Sequence, residues 1–195
     1  TSQLDPADMD GNGKITITDV RLATDRSTRM ASTAPSFNIV NVNAENFFDT
    51  VDRTEKPGNR DTVLTPAEFA AKVQRLGGLI AGELKSPTLV AMQEVENTSV
   101  LDALVNSDEL KQYGYKYELL EGTDGRGIDS ALLYRSDQGV TVSNAHQINA
   151  RGRQNEWGDF DPKGEKEVDV FRRPPLVVDV NIPGVEGSGD ANFTV

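Results

Sequence analysis

Asp8, Asp10 and Asn12 set three oxygen-bearing side chains on alternate residues, with Gly11 and Gly13 between and after them, and Thr16 and Asp19 continue the series. Calcium is held by about six to eight oxygens on a tightly curved loop, offered from its first, third, fifth, seventh, ninth and twelfth positions. Those positions are here Asp8, Asp10, Asn12, the Lys14 carbonyl, Thr16 and Asp19. Gly13 falls at the sixth position, where the chain turns sharply, and Ile15 at the eighth, placed to pack inward. An acidic, glycine-rich solvated turn is the plain alternative. The match at every liganding position favours a calcium loop.

A second group of chemically capable residues closes two apolar runs. Asn43-Ala44-Glu45-Asn46-Phe47-Phe48-Asp49 ends the first run, and Gln93-Glu94-Val95-Glu96-Asn97 ends another. In open α/β sheets, ligands gather at the carboxyl ends of strands. An asparagine and a carboxylate delivered there can hold a hard cation against a phosphate. Alone, Glu94 is an ordinary strand-end carboxylate and Asn43 an ordinary turn residue.

The elements that must position these groups are legible in outline. Residues 37–43 (FNIVNVN) read as a strand. Thr65-Pro66-Ala67-Glu68 is a capping box with proline in the first helical position. Phe69, Val73, Leu76, Ile80 and Leu84 then recur at helical spacing, which predicts a helix over 66–84. Strands are expected at 88–95, 113–119, 128–135, 140–148 and 176–182, and a second helix at 100–111 with Ser99 as its cap. Strand, helix, strand, helix and then strands is an α/β sandwich pattern. Residues 1–24 hold the calcium loop, 25–36 (DRSTRMASTAPS) read as a linker, and 37–195 form the main domain.

Composition narrows the chemistry. The 195 residues contain no cysteine and one histidine, so thiolate and multi-histidine metal sites are excluded and any metal is held mainly by oxygen. The net charge of −11 opposes purely electrostatic binding of nucleic acid, although bound divalent ions can invert the local field. No run approaches the ~20 apolar residues of a membrane span. The chain begins at Thr1 without a signal-like apolar segment, consistent with a processed leader or a fragment.

NAENFFD at 43–49 and QEVE at 93–96, in that order, resemble the endonuclease/exonuclease/phosphatase superfamily, the deoxyribonuclease I-like fold. GRGIDSALLYR (125–135) resembles the family's Gly-Ile-Asp strand, and FRRPPLVVDV (171–180) its Arg-Pro strand. The resemblance is strongest to secreted bacterial nuclease-like members. It implies half or more of a four-layer α/β sandwich. Glu94 matches the glutamate that binds magnesium or manganese, and Asn43 the asparagine that positions metal and phosphate. Asp129 matches a polar residue supporting the cleft. Arg173, or else Arg172, matches a phosphate contact. The calcium loop resembles single dockerin or EF-hand loops, closer to the former because Asp19 is shorter than the usual glutamate.

The resemblance thus implies a metal-dependent phosphodiester hydrolase, a secreted nuclease, acting on nucleic acid or another phosphodiester. The family's later motifs (Asn-His-x-Lys-Ser, Gly-Asp-Phe-Asn and Ser-Asp-His) do not occur, and Gly189-Asp190-Ala191-Asn192 stands out of order. His146 falls where the family has no catalytic histidine and reads as a solvated or packing residue. The domain is therefore expected to be incomplete, with a C-terminal half or a second polypeptide completing it. The competing reading is a catalytically inactive calcium-binding module of an extracellular assembly. Substrate choice and retained catalysis are open at this point.

Overall fold

Val40, Val42, Ala44 and Phe47 point to one side of the first strand, β1 (Ile39–Phe47), while Asn41, Asn43 and Glu45 point to the other. That period-two alternation faces the apolar set toward a helical layer. The computed structural model describes residues 37–52, 62–122, 127–157, 160–171, 173–184 and 190–195. The calcium loop, the linker and Arg172 lie outside the described residues. All elements named below belong to one compact unit, Phe37–Pro183 with Asp190–Val195.

β1 pairs in parallel with β2 (Leu89–Val95), in register from Ile39 opposite Leu89 to Asn43 opposite Gln93. Parallel neighbours require a crossover, and α1 (Pro66–Gly78) supplies it. Its start is the expected capping box. The Glu68 amide donates to Thr65 Oγ1 at 3.3 Å, and the Thr65 amide donates to Glu68 Oε2 at 2.9 Å. The expected helix to residue 84 is an α-helix to Gly78 followed by a π-turn, Leu79–Glu83. Gly77-Gly78 weakens helical preference there. At Gly77 a side chain would meet Glu109 Cβ at 3.0 Å, so close packing also favours glycine.

The second helix, α2, is Thr98–Val105, shorter than expected. Its cap is Asn97 rather than Ser99, because the Asn97 Oδ1 accepts from the amides of Ser99 (2.7 Å) and Val100 (3.2 Å). Strands β3 (Tyr115–Leu119) and β4 (Asp129–Arg135) complete a four-stranded sheet in the order β1-β2-β4-β3. The helices cover one face of it through Leu76, Ile80, Leu101 and Leu104.

The other face packs on a second sheet. There β5 (Thr141–Gln147), β8 (Leu176–Ile182) and β9 (Ala191–Thr194) run in the order β5-β8-β9, all antiparallel. Leu89, Leu132 and Tyr134 of the first sheet meet Val178, Val180 and Ile182 of β8. Beside this core Phe37 stacks on Phe193 of β9, with ring centroids 5.2 Å apart. Between β5 and β8 the chain makes a hairpin of β6 (Arg151–Gln154) and β7 (Lys166–Asp169), for which the sequence pattern predicts no strands.

The result is a mixed α/β arrangement of helices, sheet and sheet. The expected fourth layer has no counterpart among the described residues. The outer face of the second sheet is polar: Thr194 Oγ1 and Asn144 Nδ2 donate to Asp179, and Asn181 Nδ2 donates to Asn192 Oδ1. Such a face has no apolar stripe on which to seat a helix. No helix among the described residues is long and apolar enough to cross a membrane.

Candidate active site

Because β1 and β2 are parallel neighbours, their carboxyl ends emerge side by side. Both ends are bulged. The β1–β2 register slips after Asn43, and the β2–β4 register slips between Gln93 and Val95. Strict alternation would send residue 94 to the helix side, with Val90 and Met92. The bulge gives that buried position to Val95 instead and re-aims Glu94 toward the strand end. Glu94 takes φ +61°, and on β1 Glu45 and Asn46 take +53° and +59°. Left-handed backbone is tolerated by asparagine and disfavoured for glutamate, and such strain concentrates at functional sites.

The re-aimed carboxylate is held at both oxygens. Glu94 Oε2 accepts from the Asn46 amide at 3.0 Å, and Oε1 lies 3.6 Å from Arg173 Nη1. The Glu94 side chain is 19% exposed and that of Arg173 31%, so the pair lies at a partly sheltered mouth. Asn43 is the neighbour across the first bulge. Its Oδ1 accepts from the Glu45 amide at 2.8 Å, leaving the Nδ2 group to meet an anion. Gln93 Nε2 donates to Asn41 Oδ1 on the same face.

Lys72 was not singled out in the sequence. It reaches from α1 to donate to the Glu45 carbonyl at 3.1 Å. Desolvation lowers its pKa, and the nearby Arg75 lowers it further, while Glu45 and Glu94 pull it upward. Lys72 and Arg75, with Asn46 and Phe48, line a cavity of about 490 Å³ beside Glu94's partner loop. The legible signal was two cations three residues apart on the helix that follows the first motif.

Asp129 opens β4 and pairs with Val95, the residue after Glu94. It is buried, and its Oδ1 accepts from the Gly122 amide at 2.9 Å. A side chain at Gly122 would fall 2.5 Å from that oxygen and 3.1 Å from Pro174 Cδ. Asp129 thus fixes the Gly122 turn, which packs against Pro174, one residue from Arg173.

The ends of the two motifs do a different job from their middles. Asp49 and Glu96 are buried with Asn97. The Asp49 amide donates to Glu96 Oε2 at 2.5 Å, Asn97 Nδ2 donates to Asp49 Oδ2 at 3.1 Å, and the Glu96 amide donates to the Phe47 carbonyl at 3.1 Å. These bonds lock the two strand ends together. Asn97-Thr98-Ser99 has the Asn-x-Ser/Thr pattern of a glycosylation site, but the buried Asn97 amide bonded to Asp49 is not presented as a glycan acceptor. His146 is exposed on β5, with Nδ1 2.8 Å from the Asn144 carbonyl.

The donor set suits a hard divalent cation. Magnesium keeps several waters and is held by one or two carboxylates together with substrate phosphate. One re-aimed glutamate with an amide side chain beside it meets that need. Among the described residues no three His, Asp or Glu side chains converge as an all-protein cage. Calcium at residues 8–19 has no described geometry.

The chain has similar proteins among known families and among solved structures. No curated protein matches the chain. Among solved structures, an endonuclease/exonuclease/phosphatase family protein from Bacteroides thetaiotaomicron is 14% identical, covering 83% of this chain and 50% of that one, with a TM-score of 0.43. A conserved protein of unknown function from Enterococcus faecalis V583 is 16% identical (65% and 43% covered, TM-score 0.36). The human Nocturnin catalytic domain with bound sulfate is 10% identical (68% and 43%, TM-score 0.34). The chain therefore spans about half the length, or less, of these structures. The model of the endonuclease/exonuclease/phosphatase family matches residues 38–158, from β1 through the first turn of the hairpin and so across Asn43, Glu94 and Asp129. With more than half of its length matched in this way, the chain belongs to the endonuclease/exonuclease/phosphatase family.

Proposed function

We propose that this domain carries the metal-binding part of a phosphodiester hydrolase, a nuclease that works outside the cell. The observation that carries the reading is the bulge that turns Glu94 away from the core to the shared end of β1 and β2, between the Asn46 amide and Arg173.

In this reading Glu94 holds magnesium or manganese. When bound, the metal neutralises phosphate charge and supports attack by water. The chain's own groups bind and orient the substrate. Asn43 Nδ2 donates to a phosphate oxygen. Arg173, 3.6 Å from Glu94, would contact a phosphate oxygen of the substrate. Lys72 offsets the negative field of Glu45 and Glu94. Asp129 keeps the Arg173–Pro174 turn in place. The histidine and aspartate motifs that the family uses for proton transfer have no match in the 195 residues, and this reading assigns none of these residues to those roles. The loop from Asp8 to Asp19 binds calcium as an accessory clamp, as suits an exported protein.

The test has two readouts. Manganese binding, followed by electron paramagnetic resonance, should be lost in Glu94→Ala. In protein that also carries the proton-transfer groups, magnesium- or manganese-dependent hydrolysis of plasmid DNA and of bis(p-nitrophenyl) phosphate should fall by about 100-fold or more, on the order of 3 kcal/mol of transition-state stabilisation. Manganese binding and hydrolysis both unchanged in Glu94→Ala would sink the assignment.

A further inference from the structure

The β6–β7 hairpin leaves the second sheet at the same end as Glu94. Its neck is closed by the Ile148 amide donating to the Pro175 carbonyl at 3.1 Å and the Val170 amide donating to the Ala150 carbonyl at 2.8 Å. Gln147 Nε2 reaches the Leu120 carbonyl at 2.7 Å, next to the Gly122–Asp129 brace. Arg173, two residues before Pro175, contacts Glu94. The hairpin therefore stands at the mouth of the candidate active site.

Its outer part displays aromatic rings to solvent. Trp157 is 79% exposed and Phe160 59%. The backbone under Trp157 and the ring of Phe160 are both fixed. The Trp157 amide donates to Asn155 Oδ1 at 3.0 Å, which fixes the turn beneath it. Phe160 lies against Gly152, where a Cβ would meet the ring at 2.7 Å and Val170 Cγ2 at 3.2 Å. Only glycine lets the ring lie down on the strand, with its other face outward. Charge also separates this region from the rest. The hairpin itself, residues 151–169, carries four cationic and six anionic side chains, and Arg172 and Arg173 just after it bring residues 148–173 to neutrality in a chain of net charge −11. A phosphate chain is therefore drawn to the base of the hairpin rather than to its tip.

We propose that this hairpin is a nucleic-acid-binding arm on which Trp157 and Phe160 stack unpaired bases of a single strand whose phosphate is presented to the Glu94 site. Stacking uses the π-face that every base has, so the arm discriminates strandedness rather than sequence. Arg151, Arg153, Lys163 and Lys166 lie along the same strands and turn and track the backbone; Arg151 is shared with Asp169 at 2.8 Å, and Glu156, Asp161, Glu165 and Glu167 temper the attraction. The inference deepens the nuclease reading and rests on it for the orientation of the strand.

Trp157 is the only tryptophan, so its emission reports this arm alone. The intact protein is titrated with oligo-dT and with a duplex of matched length, in EDTA and low salt so that nothing is cleaved. Oligo-dT should quench the emission saturably, and the duplex should bind at least about tenfold more weakly. Trp157→Ala and Phe160→Ala, read by anisotropy of labelled oligo-dT, should each weaken binding by about tenfold. No quenching, equal response to duplex, or unchanged affinity in both variants overturns the proposal. So does an emission that depends on protein concentration before any oligonucleotide is added, which would mark a contact between copies instead. Manganese binding that Glu94→Ala abolishes reports the Glu94 site separately. Such binding without quenching refutes the arm, and quenching without such binding refutes the nuclease reading.

Discussion

Glu94 and Glu96 are two residues apart, both glutamates, and opposite in role. One is turned out by a bulge to the mouth of the site; the other is buried and accepts a bond from the Asp49 amide. Sequence position alone favoured Glu94 through the family pattern, yet nothing in the pattern announced that Asp49, Glu96 and Asn97 form a buried latch. Gly122 is a second position where one atom decides the outcome. Gly122→Ala puts a methyl 2.5 Å from Asp129 Oδ1 and tight against Pro174. We expect a loss of about 1–3 kcal/mol in urea unfolding, because a packed and bonded turn must shift to admit it. An unchanged midpoint would show that the brace is absent in solution.

Among the elements, α1 was the most legible because three independent signals coincide in it: a capping box, an N1 proline and a helical apolar spacing. Its start gives a pH prediction. Hydrogen bonds from the Thr65 hydroxyl and amide hold the Glu68 carboxyl below its ordinary value of 4.5. The folded state thus binds fewer protons than the unfolded one in acid. The stabilisation is complete above the ordinary value and is lost as pH falls through the folded one. Glu68→Gln should therefore flatten the acid limb of stability, measured by urea unfolding between about pH 6 and pH 3. A steeper acid limb in the variant would contradict the cap's role. The edges of other elements were less legible. The β1 strand runs four residues beyond its expected end because Ala44 and Phe47 continue the buried side across a bulge, which no alternation rule anticipates. The hairpin strands β6 and β7 are rich in charge and poor in β-branched residues, so propensity gave no cue, and pairing across residues 151–169 makes them strands.

For the whole molecule, the order of motifs carried most of the information. The two sheets and their helical cover follow from it, and residues 38–158 match the family. Arg173 lies beyond that match, and its approach to Glu94 depends on the second sheet folding back over the first, which spacing cannot show. The metal sites are expected to behave independently. Calorimetry should find one calcium per chain in the wild type, with affinity on the order of 10⁻⁴–10⁻³ M. Asp8→Ala with Asp10→Ala should abolish it, and Glu94→Ala should leave it in place. Calcium binding that survives the double substitution would remove the loop from the account.

The stack of Phe37 on Phe193 ties the first strand to the last one. Contacts between such distant parts of a chain form only after a long loop has closed, and topologies rich in them fold slowly. On a ribosome, β1 and its helix can dock as soon as β2 has emerged, but the second sheet must wait for β8 and β9. Until then Leu89, Leu132 and Tyr134 stand open to water and to other chains. The exposed intermediate is the stage at which a chaperone or an aggregation partner would compete for this protein.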